Sequence, residues 1–272
     1  MKKIILYISS IILLQNCSVL MPLKDLPKPD GKYIIGTDIF ILEDKNRLET
    51  FTNDIKDYRK IIVQAWYPAI EPSDSIYPYL DYKKIKVPYI AKRIDISEKL
   101  IKHINSVEAN SYYKAKAKNN EFPVIIFSHG LGGNRMQNTA NIESLVSNGY
   151  IVFSIEHAYD ANITVFNDTT FAEFASYLDD NVSVEEFYNT RIPQIRIRSN
   201  DISFLIDYIT LLKNQKQYLG RISDINSIGV FGHSFGGGTA AVSSFTDTRI
   251  DACLALDGWF EPIPPYIIKE GI

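Results

Sequence analysis

The stretch Ile228-Gly229-Val230-Phe231 runs directly into Gly232-His233-Ser234-Phe235-Gly236, with Gly237-Gly238 immediately behind. Few patterns constrain a chain so tightly. A short apolar strand has to become a helix within a few residues, with a serine at the apex of the turn. The apex residue is forced into strained backbone, and its flanks come against neighbouring backbone where a Cβ has no room. Gly232 and Gly236 meet that requirement. Gly237, Gly238, Ala240 and Ala241 let the new helix lie close to the sheet. Ser234 Oγ is then expected to stand above the sheet at the positive end of the helix, where developing negative charge is favoured. A Gly-rich turn with an incidental serine is the alternative on this stretch alone, and the strand before and helix after argue against it.

With 272 residues and 46% apolar content, the chain can bury the core of one large α/β domain, assigned to residues 33–272. Net charge is −3 with acids and bases interspersed, so no nucleic-acid surface is indicated. The first residues differ. Lys2-Lys3 precede the apolar run Ile4–Leu14, and Leu14-Gln15-Asn16-Cys17 resembles a bacterial lipoprotein cleavage box. Residues 1–17 are read as a signal peptide with Cys17 as the lipidation site, and residues 18–32 as a tether. The expected location is the bacterial cell envelope, anchored to a membrane by lipid or secreted, with an uncleaved anchor as a further alternative. Cys253, the other cysteine, lies in an apolar run and is expected to be a buried, inert thiol.

Tyr33–Leu42 and Ile61–Trp66 read as an antiparallel pair separated by a charged stretch. Ser97 is placed to cap a short helix carrying Leu100, Ile101 and Ile104, in a 70–120 segment that serves either as a lid or as a surface insertion. From Phe122 the pattern becomes regular. Val124–Phe127 is a strand buried on both faces, followed by a Gly-rich turn, Asn134 as N-cap, and a helix with Ile142, Leu145 and Val146 that stops at Asn148-Gly149. The buried strand Ile151–Ile155 precedes a polar and aromatic insertion over 157–190. A long helix follows, with Ile202, Leu205, Ile209 and Leu212 on one face. The Ile228–Phe231 strand, the Ser234 turn, a helix to about Phe245 and a buried strand Ala252–Leu256 complete a doubly wound, mostly parallel sheet.

A serine hydroxyl needs a base, and the oxyanion formed on attack needs preorganised donors. Phe127-Ser128-His129-Gly130-Leu131-Gly132-Gly133 follows the first strong parallel strand, where a Gly-rich loop supplies one oxyanion amide in hydrolases of this architecture. The donors are expected to be the backbone N–H groups of Leu131 and Phe235. Asp257 ends the strand after the Ser234 helix, the place for the acid in the order Ser…Asp…His. Asp247 and Asp251 lie off that strand end and are expected to be solvated.

Phe-Ser-His-Gly-Leu-Gly-Gly, Gly-His-Ser-Phe-Gly-Gly and Ala255-Leu256-Asp257-Gly258-Trp259 together resemble the platelet-activating-factor acetylhydrolase family, as do Glu156-His157 and Trp66-Tyr67-Pro68. The resemblance implies an α/β-hydrolase that needs no metal or cofactor and cleaves short or oxidised sn-2 acyl esters of phospholipids. It implies Ser234 as nucleophile, Asp257 as the acid, and Leu131 and Phe235 as oxyanion amides. It also implies a catalytic histidine on a loop well beyond the acid. The four histidines, His103, His129, His157 and His233, all precede Asp257. The sheet is therefore expected to lack its C-terminal strands and helix, with the catalytic-histidine segment outside this sequence. His157, after a strand end, is the one in-chain substitute, and a hydrogen-bonding role is expected for it instead. A fragment of a longer reading frame, a truncated gene and completion by another chain all fit. The other functional readings are a dienelactone-hydrolase-like or polyester carboxylesterase, and an inactive lipid-binding surface lipoprotein.

Overall fold

Apolar runs of the kind at Val124–Phe127 are satisfied only when both faces of a strand are covered, and the chain achieves this with one large sheet. The computed structural model describes residues 25–179, 181–261 and 263. Cys17 and the leader lie outside the described residues. The strands are β1 (Ile34–Leu48), β2 (Tyr58–Ala69), β3 (Ile76–Pro78), β4 (Glu108–Tyr113), β5 (Phe122–Ser128), β6 (Ile151–His157), β7 (Ile163–Asn167), β8 (Thr170–Glu173), β9 (Ser223–His233) and β10 (Ala252–Leu256). The helices are α1 (Lys83–Arg93), α2 (Glu98–Ile101), α3 (Thr139–Ser147), α4 (Val184–Asn214), α5 (Tyr218–Ile222) and α6 (Phe235–Thr246). Eight strands form one sheet in the order β10-β9-β5-β6-β2-β1-β4-β3, and β7 and β8 form a separate hairpin. β10, β9, β5 and β6 run parallel, and β2 joins antiparallel to both β6 and β1.

The α4 stripe forecast from spacing is real. Ile202, Leu205, Ile209 and Leu212 are all buried and pack with Val124, Ile126, Val230 and Ile155 in the main core. At roughly 1.5–3 kcal/mol per buried aliphatic side chain, this face dominates the helix's attachment. On the other side of the sheet Ile142 and Val146 of α3 pack on Trp66, Phe127 and Phe231.

Several expectations need correction. β1 and β2 form the expected antiparallel pair, but β1 runs into the charged stretch as far as Leu48, so only residues 49–57 separate the two strands. Asn134 does not cap α3: its Oδ1 accepts from the Met136 N–H at 2.9 Å in a tight turn, and the helix starts at Thr139. Ser97 precedes α2 without making a side-chain cap bond. β10 is not a buried strand. Among the described residues it pairs only with β9, and Ala252, Cys253 and Leu254 are exposed. Cys253 is therefore an accessible thiol. Asp247 is not solvated: it is 8% exposed and grips Arg249 Nη2 at 2.7 Å, which holds its carboxyl down at about 2.

Candidate active site

The four parallel strands deliver their C-terminal ends to one rim, and Ser128, His157, His233 and Leu256 mark it. Ser234 follows β9 with φ 53° and ψ −121°, a conformation that a residue with a side chain occupies only when its surroundings impose it. The glycines explain how. A Cβ on Gly232 would lie 2.1 Å from the Gly236 carbonyl oxygen, and one on Gly236 would lie 2.1 Å from that of Ser128. The turn is bolted on one side to β10 and on the other to the segment just after it. The Ser234 N–H donates to the Leu256 carbonyl at 3.0 Å, and the Ser234 carbonyl accepts from Trp259 at 2.9 Å. Ser234 is half-buried, and its Oγ has no hydrogen bond among the described residues.

Phe235, the first residue of α6, is buried, with its ring packed between Trp259, 5.6 Å away centre to centre, and the Arg198 guanidinium at 5.1 Å. That anchorage holds its N–H at the turn. The facing loop is held just as firmly. Gly132 N–H donates to the Asp160 carbonyl at 2.8 Å, Gly133 N–H to the Gly130 carbonyl at 2.9 Å, and Gly130 N–H to Gln137 Oε1 at 2.8 Å. Gln137 Nε2 also meets His233 Nδ1 at 3.1 Å, tying the loop to the residue before Ser234. Among the described residues neither the Leu131 nor the Phe235 N–H has an acceptor. Asp257 comes next after Leu256, which pairs with His233, so it stands one strand over from Ser234 on the same rim. It is exposed, with φ 46°.

None of the four histidines serves Ser234 in this arrangement. His103 is half-buried in the short helical turn after α2. His129 is buried and bonds the Gly130 carbonyl and the His157 N–H. His157 is buried between Ser128 Oγ at 3.0 Å and Asp201 at 2.8 Å. Burial, followed by the Arg198 charge, pushes its pKa down to about 3. Asp201 in turn holds Arg59 Nη2 at 2.7 Å and Arg47 Nη2 at 2.9 Å. Arg198 donates to Ser128 Oγ at 3.1 Å and to the His129 carbonyl, and burial lowers its pKa to about 10. The Ser128–His157–Asp201 chain has the connectivity of a catalytic triad, yet all three residues are 0% exposed.

Sequence reasoning missed Arg198 and Asp201. The signal was available: both are charged residues on the α4 face that otherwise carries Ile195, Ile202 and Leu205. Charges at such positions are kept only when paired inside.

Strand order, strained serine turn and Gly-rich facing loop define an α/β-hydrolase. The chain matches the family described as "Platelet-activating factor acetylhydrolase, isoform II" over residues 19–269 and belongs to it. It is 29% identical to the dog "Platelet-activating factor acetylhydrolase" over 273 residues, 90% of this chain and 57% of the dog protein. The guinea-pig protein of the same name is 26% identical, over 88% of this chain and 56% of its own length. A fungal "Probable 1-alkyl-2-acetylglycerophosphocholine esterase" from Arthroderma benhamiae is 27% identical over 52% of this chain and 32% of its own. The chain thus spans little more than half the length of the mammalian relatives it matches. Among solved structures, a ferulic acid esterase from Streptomyces cinnamoneus superposes with TM-score 0.72 and 25% identity, over 89% of this chain and 64% of that one.

Proposed function

We propose that the protein is a serine carboxylic-ester hydrolase acting on phospholipids with short or oxidised sn-2 acyl chains. Ser234 Oγ attacks the ester carbonyl, and the Leu131 and Phe235 N–H groups receive the oxyanion. Asp257 orients an imidazole supplied from outside the described residues. That imidazole takes the serine proton and passes it to the leaving alcohol, and water then releases the acid from the acyl-enzyme. The observation that carries this reading is the strained Ser234 turn facing two unengaged amides, and family membership supports the substrate class. A fluorophosphonate probe applied to the full-length protein tests it. Labelling is expected in the native protein and absent from Ser234→Ala; undiminished label in that variant overturns the nucleophile.

The ferulic acid esterase likeness favours a second reading, in which the substrates are soluble aromatic esters. Turnover of acetyl-phospholipid against soluble aryl esters separates the two. Envelope location is proposed from Lys2-Lys3, the apolar run behind them and Cys17. Palmitate labelling that survives Cys17→Ser overturns the lipid anchor.

A further inference from the structure

The alternating run Lys114-Ala115-Lys116-Ala117-Lys118 takes no part in the ester chemistry. Alternation in an extended chain sends every second side chain the same way. Ala115 is buried and Ala117 packs against the main core, so the three lysines are turned outward. Pairing with the end of β2 fixes the run: the Ile70 N–H donates to the Lys116 carbonyl at 2.8 Å, and the Lys118 N–H to the Pro68 carbonyl at 2.9 Å.

These lysines border a cavity of about 670 Å³ that Arg221 also lines. Among the described residues none of the four cations pairs with a carboxylate, whereas Lys213, at the end of α4, is held by Glu121 at 2.8 Å. Lys114 Nζ lies 5.2 Å from the Tyr113 ring centre, and Lys118 and Lys32 share the Tyr33 ring at 5.8 and 5.1 Å. Ring contacts of this kind place a charge without neutralising it. The one carboxylate in the lining, Asp38, is already engaged. Its Oδ2 accepts from the Tyr218 hydroxyl at 2.7 Å and its Oδ1 from the Ile39 N–H at 2.9 Å.

The position of this patch decides what it meets. Lys118 precedes β5 and Arg221 precedes β9, and both strands end at the catalytic rim. The cations therefore lie at the opposite end of the sheet, a strand's length or roughly 20 Å from Ser234. The N-terminal segment enters the fold at the same end. Tyr33 packs edge-on against Phe122, the first residue of β5, at 5.5 Å, and Lys28 and Lys32 are exposed beside it in sequence. Lys2-Lys3, the apolar run Ile4–Leu14 and Cys17 precede that segment. Exposed Ile70 and Tyr218 line the cavity too, and an aliphatic side chain and a phenol among lysines suit the headgroup level of a bilayer.

We propose that this end of the sheet docks on a bilayer containing anionic lipids, whose phosphates engage Lys114, Lys116, Lys118 and Arg221. The catalytic rim then points away from that bilayer. The choice of a bilayer rests on the envelope location proposed above; the charge pattern stands without it. Each lysine held near an anionic leaflet strengthens binding about fivefold.

The test uses the full-length protein carrying Cys17→Ser, sedimented with vesicles of equal parts phosphatidylglycerol and phosphatidylcholine or of phosphatidylcholine alone. Binding by the apolar leader shows on the neutral vesicles, and the anionic ones are expected to bind more tightly. Adding Lys114→Gln, Lys116→Gln and Lys118→Gln together is expected to weaken anionic-vesicle binding on the order of 100-fold, with neutral-vesicle binding unchanged. Equal binding to both vesicles, or undiminished binding by the triple variant, overturns the proposal. Acetic anhydride footprinting of the unsubstituted lysines decides the matter should the triple variant misfold. Anionic vesicles are expected to shield Lys114, Lys116 and Lys118 and to leave Lys92 reactive. Lys92 adjoins Arg93, which lies against Gly132 on the catalytic rim, so shielding of Lys92 instead puts the bilayer at Ser234 and overturns the proposal. Preference for duplex DNA over anionic vesicles at matched phosphate makes the patch a nucleic-acid surface and overturns it as well. Failure of palmitate labelling at Cys17 removes the anchor and leaves these readouts intact, so the two failures are told apart.

Discussion

Two serines at the same rim illustrate opposite solutions. Ser128 has everything a nucleophile is usually said to need: an imidazole at 3.0 Å, and a carboxylate on the far side of that ring at 2.8 Å. It has no access, because the whole group is sealed and fed by Arg198, Arg59 and Arg47. Ser234 has strained backbone, the helix terminus, two idle amides and partial exposure, and lacks the imidazole among the described residues. Hydrogen-bond connectivity alone therefore picks out the sealed serine and passes over the one in the strained turn. A reactive serine also needs a place for the substrate's oxygen, and in the proposed mechanism the Leu131 and Phe235 amides, without acceptors among the described residues, supply it for Ser234.

The sharpest way to break that contrast is to remove each hydroxyl. Ser234→Ala in the full-length protein is expected to cut ester hydrolysis by ~10⁴-fold or more while leaving the fold intact. Ser128→Ala is expected to keep fluorophosphonate labelling and to lose about 1–3 kcal/mol of stability from stranded buried partners. If labelling follows Ser128 instead, the comparison is inverted.

The buried cluster should next declare itself as structure. Asp201→Ala leaves Arg59 sealed in without its main counter-charge and is expected to cost about 3–5 kcal/mol in a urea-unfolding experiment. A loss below 1 kcal/mol would show that the cluster is hydrated and open.

A smaller effect separates the two regions by pH. His157 stays neutral in the folded protein, with its pKa pushed down to about 3, while the unfolded chain takes up its proton near the ordinary value of roughly 6.5. Between those limits the unfolded state binds more protons, so stability falls as pH falls. The slope is at most about 1.4 kcal/mol per pH unit for this one group. His157→Gln is expected to flatten the slope between pH 6.5 and 4.5, read from urea midpoints; an unchanged slope would mean the ring is already charged when folded.

The smallest expected effect falls on β10. In the 272-residue chain, Cys253→Ser should change stability by less than about 0.5 kcal/mol, and the thiol should react with a disulfide reagent without denaturant. A thiol that reacts only after unfolding would restore the buried assignment.

How much could be read beforehand follows from the range of each cause. The Ser234 turn was legible because its glycines answer to atoms a few residues away or to one adjacent strand. The place of Asp257 was legible because strand ends of a parallel sheet share a rim. The Ser128 cluster was not, since Ser128, His157, Arg198 and Asp201 meet only after two strands and a helix assemble. Asp247 was misjudged for a related reason: its partner Arg249 is close in sequence, but its burial comes from the fold. Exposure of Ala252, Cys253 and Leu254 in this chain was equally hidden, because Ala-Cys-Leu-Ala-Leu reads the same whatever lies against the strand.

Arg198 carries a consequence of its own. Its guanidinium touches the His129 carbonyl at one end and the Phe235 ring on its face, so one flat, rigid group acts as a gauge block between the two segments proposed to present the oxyanion amides. A lysine there keeps the charge and forfeits the spacing. Wear in that block would surface as a slower enzyme before it surfaced as a softer one.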